Sequence, residues 1–408
     1  GRSAGPEEQQ SPQYSCGSNR SFAGVLVPRV LSVIPSVRLL RMTSNDVLTV
    51  SAEDAICDDR SDSGGPPQRL SALEVILKLV GVLPCRPRCA LGSAYSKSVF
   101  LLVAAAAVAL VLDRASRAGT WMGECDRSCW LRRGLSSDAA IGVCAATNLA
   151  LLAGRGGKAV ADTLALVRMM ARRYEFADRW ASRSKFDSAC LAASWAAVIF
   201  ADVLFTATGA RSGRDWAHSA AFLVAASVLL AAALVFVQIC HALAVTVDTF
   251  CFRMASSPKV TEIMHEWNVI NAVLHKVCTA LNPAFIALQA VTLLMVPCLL
   301  ADLFEQGLTP TSVAAVLPGA VLTLCTVRVL FVAGTVTDKC TRMPALVNSL
   351  SFGRGTERTR QHVVEYICNS RSGFYILSAR IQSGAVLAFL YLWVMASFLV
   401  GIATMSRS

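Results

Sequence analysis

The stretch WAHSAAFLVAASVLLAAALVFVQICHALAVTV, residues 216–247, contains no Asp, Glu, Lys or Arg. A helix needs about 20 apolar residues to cross the roughly 30 Å hydrocarbon layer, so this run can span it with residues to spare. Outward from it, further charge-free stretches fall at 98–112, 139–154, 188–201, 277–301, 306–327 and 381–406. Only Asp202 interrupts the third span, which then continues to Ala210. The stretches at 98–112 and 139–154 are short, but Lys97 can snorkel and Asp138 can sit at the interface, each adding about a turn. The pattern predicts an all-α membrane protein with seven transmembrane helices. Composition agrees, with 54% apolar and 16% charged residues among 408, against roughly 45–50% and 25% in soluble domains. This argues against a water-soluble enzyme.

A net charge of +11 suggests nucleic acid on a soluble protein and orientation on a membrane protein. Of the 38 Lys and Arg, 29 fall in segments on the N-terminal side of the predicted bilayer and 8 on the other, with Arg328 inside the sixth span. Leaving out the N-terminal segment, the split is still 18 against 8. The positive-inside rule therefore predicts a multi-pass plasma-membrane protein with a cytoplasmic N-terminus and an extracellular C-terminus, and no nucleic-acid partner is needed. That orientation is opposite to a G-protein-coupled receptor, the first alternative for seven helices. Glycosylation of Asn19, in the chain's usable N-x-[ST] sequon, would favour that alternative. A secondary transporter, the second alternative, is expected to show paired repeats and charges at mid-membrane, and no repeat is visible.

Residues 1–69, rich in Ser, Pro, Gly and Arg, read as a disordered cytoplasmic tail, and residues 70–408 as the seven-helix domain. Because the chain starts at Gly1 rather than Met, a truncated N-terminus is expected. Within LSALEVILKLVGVLP, Leu70, Leu73, Leu77 and Val80 recur at helical spacing, which predicts an amphipathic helix on the membrane face ending before Pro84. The long segments 155–187 and 248–276 are expected to carry helices beyond the bilayer.

Chemistry-bearing motifs are scarce. Cys125 and Cys129 share the first external loop and either bridge there or remain free thiols. The five His form no zinc pattern with the 15 Cys, so no metal or other cofactor is expected. GRGGKA at 154–159 lacks the upstream Gly and the Ser or Thr of a phosphate loop, and neither HExxH nor GxSxG occurs, so no enzyme is expected. Asn282–Pro283 reads as the start of a helix. Asp202 is costly inside a bilayer unless it faces a wet cavity or a partner. It is a candidate wall of a ligand pocket, or else a hydrogen bond to a neighbouring helix. Asn148, Gln289 and His241 are similar candidates, whereas Arg328 reads as snorkelling from the cytoplasmic end of its span.

Near the end, Leu390, Tyr391, five residues, Ser397 and Phe398 resemble the Thr-Tyr, five residues, Gln-Phe signature that closes arthropod gustatory receptors. Tyr391 and Phe398 match that signature, while Leu390 and Ser397 depart from it. LKLVGVLP at 77–84 is similar to the approach to the first helix in that family, and Gly373–Phe374 to the opening of its last. The resemblance implies a ligand-gated cation channel, a homo- or hetero-tetramer opened by a small-molecule tastant. Its pore would be lined by the seventh helix, with Ser397 and Phe398 at the constriction and Tyr391 packed lower between helices. It also puts the ligand site in the outer half of the first six helices, where Asp202 lies. Leu392 stands where some sweet-sensing members carry an acidic residue.

Overall fold

A computed structural model describes residues 72–80, 82–83, 90–119, 137–153, 157–207, 216–256, 260–306, 309–350 and 357–405. Contacts divide the chain into Gly1–Gly64 and Gly65–Ser408, and every described residue belongs to the second unit. The predicted tail, Asn19, Cys125 and Cys129 lie outside the described residues.

The 216–247 stretch becomes part of one 41-residue helix, α6 (Trp216–Ser256). Before it come α1 (Ala72–Leu79), α2 (Ala90–Gly119), α3 (Ser137–Ala153), α4 (Lys158–Arg173) and α5 (Ala177–Ala207). After it come α7 (Val260–Gln306), α8 (Pro310–Ser349), α9 (Glu357–Asn369), a hairpin of β1 (Tyr375–Ile376) and β2 (Ala379–Arg380), and α10 (Ser383–Met405). Each predicted span coincides with a helix. Stretches of α2, α5, α6, α7 and α8 are each long and apolar enough to cross a membrane alone. The pair α3 and α4, inclined at 66°, passes as a sixth, and α10 carries the shorter apolar run Ser383–Leu399. The chain is therefore an all-α membrane protein built on the seven predicted helices.

Because α6 is apolar on every side and rich in Ala, neighbours can approach all its faces closely. It packs against α2, α3, α5, α7 and α8. In its most apolar window 72% of residues are buried, against 22% in α2 and α5, so α6 is the axis of the bundle and the outer helices present apolar faces to lipid.

Helices α6, α7 and α8, of 41, 47 and 40 residues, are about 60–70 Å long at 1.5 Å per residue, twice the hydrocarbon thickness. Two ties on α6 mark where the membrane part ends. His218 Nε2 lies 2.9 Å from Asp138 Oδ2 on α3, and His241 Nδ1 lies 2.7 Å from Asp187 Oδ2 on α5. They are about 35 Å apart along the helix, and no charged residue separates them. Trp216 is exposed beside the first tie, as aromatic residues at a membrane interface are.

Beyond His241 the helices form a polar-laced extension. Lys339 of α8 pairs with Asp248 of α6, and Arg253 of α6 with Glu266 of α7 at 3.2 Å. At the same end α1 buries Leu73 and Leu77, and Tyr95 donates to its Leu79 carbonyl at 2.6 Å. Gly157 precedes α4 at φ 67, where a Cβ would lie 2.1 Å from the Val82 carbonyl oxygen, so no side chain fits.

Two boundaries differ from the sequence expectation. Asn282–Pro283 does not open a helix, because α7 runs through it. A proline removes one helix hydrogen bond, and the burial of Ala284 and Phe285 alongside carries the helix past it. Gly373–Phe374 opens the hairpin rather than the last helix, which starts at Ser383. There Phe374 is buried, its ring 5.2 Å from Phe285, and its N–H donates to Thr337 Oγ1 at 2.9 Å. Its packing fixes a turn before α10 begins.

Candidate functional site: the last helix and a buried charge cluster

Helix α10 packs only on α7 and α8 to any extent. Its entry is tight, since a Cβ on Gly334 of α8 would lie 2.9 Å from the Ser383 backbone nitrogen. Tyr391 and Phe398, seven residues apart, share a helix stripe with Leu387, Met395 and Ile402, and all five are exposed. Phe398 is 43% exposed, while Ser397 is only 7% exposed and turned into the chain's own packing. The two residues that the resemblance assigns to a constriction thus differ: the phenyl ring stands on an open face and the hydroxyl does not. Tyr391, expected between helices, is on the open face as well.

Of the four pocket candidates, His241 belongs to the α6 tie with Asp187, and the other three are buried or half-buried on three different helices. Asn148 of α3 donates Nδ2 to the Cys144 carbonyl of its own helix at 2.9 Å, and its Oδ1 has no hydrogen-bond partner among the described residues. Gln289 of α7 donates Nε2 to the Thr326 carbonyl of α8 at 3.4 Å, beside a 2.7 Å hydroxyl pair between Thr292 and Thr326. Asp202 is buried on α5. Since α3 packs on α7 whereas α5 packs chiefly on α6 and α8, Asp202 stands apart from the other two.

What the sequence did not bring together is a charge cluster at one limit of the membrane part. Asp187 of α5 is 1% exposed, and Arg328 Nη2 of α8 donates to its Oδ1 at 2.5 Å while His241 of α6 holds Oδ2. Arg183, one turn earlier on α5, adds Nε at 4.0 Å from Oδ1. An unpaired carboxylate there would cost several kcal/mol, and these partners remove that cost. Arg328 therefore does more than snorkel: it ties α8 to α5. Polarity at these positions was visible, but Asp187 read as the end of a loop, and 141 residues separate it from Arg328. Beside the cluster a small crevice of about 30 Å³, room for a water or two, opens between α5, α6 and α8.

Further along the extension Tyr174 is buried under the Arg253 guanidinium, 5.4 Å from its ring. Burial, with Glu266 nearby, pushes its phenol up to about 12. Its hydroxyl has no hydrogen-bond partner among the described residues. Among the same residues no group of three or more His, Cys, Asp and Glu is placed to hold a metal.

A long central helix packed around by its neighbours, a helical extension beyond the bilayer and a last helix with a broad exposed face define a class that solved structures contain: the fold of insect olfactory receptors. The chain is similar to the olfactory receptor OR5 from Machilis hrabei, with TM-score 0.60 and 12% identity, covering 82% of this chain and 97% of that one. It is also similar to that receptor in complex with eugenol, with TM-score 0.54, the same identity and the same coverage. No family model matches the sequence, and no curated protein matches it.

Proposed function

We propose that the chain is a gustatory chemoreceptor subunit of the plasma membrane, a cation channel gated by a small-molecule tastant and lined by α10 of each subunit in a tetramer. The observation that carries this reading is α10 itself. It is an apolar helix held on one side by α7 and α8 while the Tyr391–Phe398 stripe stays open, in a fold shared along 82% of the chain with an insect olfactory receptor. A helix held in this way can line a pore when copies assemble around an axis, and the Phe398 ring of each copy can then close it by dewetting. The similar receptor has been solved with eugenol bound, which supports a small organic ligand here. Orientation by the positive-inside rule, with the N-terminus in the cytoplasm, belongs to the same reading.

Whole-cell recording from cells expressing the chain, with a panel of sugars, bitter compounds and amines, tests it. A ligand-evoked cation current is expected, and Phe398→Ala is expected to raise the leak in the absence of ligand or shift the dose–response. Currents identical in the mutant would remove the pore assignment. A response that depends on G-protein signalling would favour the receptor alternative.

A further inference from the structure

The crevice beside Asp187 has a direction. At its inner end stand Asp187 and Arg328, and its walls continue through Leu191 and Ser194 of α5 over a floor of Ala233 and Leu234 of α6. Numbering rises toward mid-membrane on α5 and falls on α6 and α8, so charge sits at the interface and apolar surface lies deeper, as in a phospholipid of that leaflet. Arg183 extends the charged end by one turn, its guanidinium 5.1 Å from the exposed ring of Phe186. Both Asp187 oxygens are taken, Oδ1 by Arg328 and Oδ2 by His241. Arg328 is nevertheless 36% exposed and Arg183 50% exposed, and each guanidinium carries five N–H donors, more than Asp187 can take. Two guanidiniums against one carboxylate leave an excess of positive charge, which a phosphodiester would offset.

From this we infer that the mouth of the crevice between α5 and α8, rather than its interior, binds the headgroup phosphate of an anionic phospholipid, with Arg183 and Arg328 as donors and an acyl chain over Leu191 and the exposed Trp195 on the outside of α5. The lipid would cover the mouth of the Asp187 cluster, excluding water from it and strengthening the tie between the two helices. The inference rests on the membrane fold and is independent of whether the chain conducts.

Native mass spectrometry of the detergent-purified full chain, offered phosphatidylglycerol or phosphatidylcholine, reads this directly. One phosphatidylglycerol per chain is expected to be retained at concentrations where phosphatidylcholine is not. Arg183→Gln, which leaves the closer Arg328 and His241 contacts of Asp187 in place, should weaken retention about fivefold, the factor carried by one interfacial arginine. Lys185→Gln removes the same charge from the same helix about 200° around it and should leave retention unchanged. Equal retention of the two lipids, or equal losses in the two variants, would show non-specific attraction and overturn the site. Displacement of the lipid by millimolar glycerol phosphate would overturn the acyl-chain half of the assignment.

Discussion

At the residue scale Asp187 carries the sharpest energetic consequence. Asp187→Asn keeps the shape and removes the charge that Arg328 and His241 face, leaving the guanidinium without its counter-ion. Breaking a buried pair from one side costs about 3–5 kcal/mol. Arg328 is 36% exposed and can turn toward solvent or headgroups, so the lower end of that range is expected. Fluorescence-detected thermal unfolding in detergent would show a clear fall in Tm. The double variant Asp187→Leu with Arg328→Met should recover most of the loss, because it removes both charges. If the single variant unfolds like the parent, the cluster holds nothing together. Sequence reading could not reach this site, although it noted His241 and Arg328 separately. A charge at the edge of an apolar run looks the same whether it faces headgroups or another helix, and only the convergence of α5, α6 and α8 distinguishes the two. Asn148 and Gln289 show the converse, where residues visible as intramembrane polar groups are partly satisfied by local carbonyls.

At the scale of elements, length and apolarity were enough to locate all seven helices, because a bilayer imposes one criterion on each independently of its neighbours. Where helices end was less legible. The run through Pro283 and the hairpin at Tyr375–Arg380 depend on Phe285 and Phe374 packing against each other, a contact between distant segments. The junction of α8 and α10 yields a further test. At Gly334 an added Cβ would meet backbone atoms, the Ser383 nitrogen at 2.9 Å and Cα at 3.1 Å, which cannot swing aside as a side chain can. Gly334→Ala should therefore push the start of α10 away from α8 at a cost of about 1–3 kcal/mol. If α10 lines a pore, the same displacement should shift the ligand dose–response. A variant with unchanged Tm and unchanged currents would mean that the two helices do not bear on each other there.

For the whole molecule the open question of orientation follows from charge and shape together. The ties His218–Asp138 and His241–Asp187 bracket a charge-free length of α6 close to the hydrocarbon thickness, which puts α1, α9 and the hairpin beyond one face of the bilayer. That extension carries Arg253, Lys339, Arg360, Arg371 and Arg380, matching the sequence count of 29 basic residues on the N-terminal side against 8 on the other. Moving such a basic end across the membrane is strongly disfavoured during insertion, so the extension should face the cytoplasm. An epitope tag fused after Ser408 should then label on intact cells, while one placed before Gly1 should label only after permeabilisation, and Asn19 should remain unglycosylated. A glycan on Asn19 would place the N-terminal segment outside. It would then remove the inverted orientation and, with it, the channel reading that depends on α10 ending at the outer face.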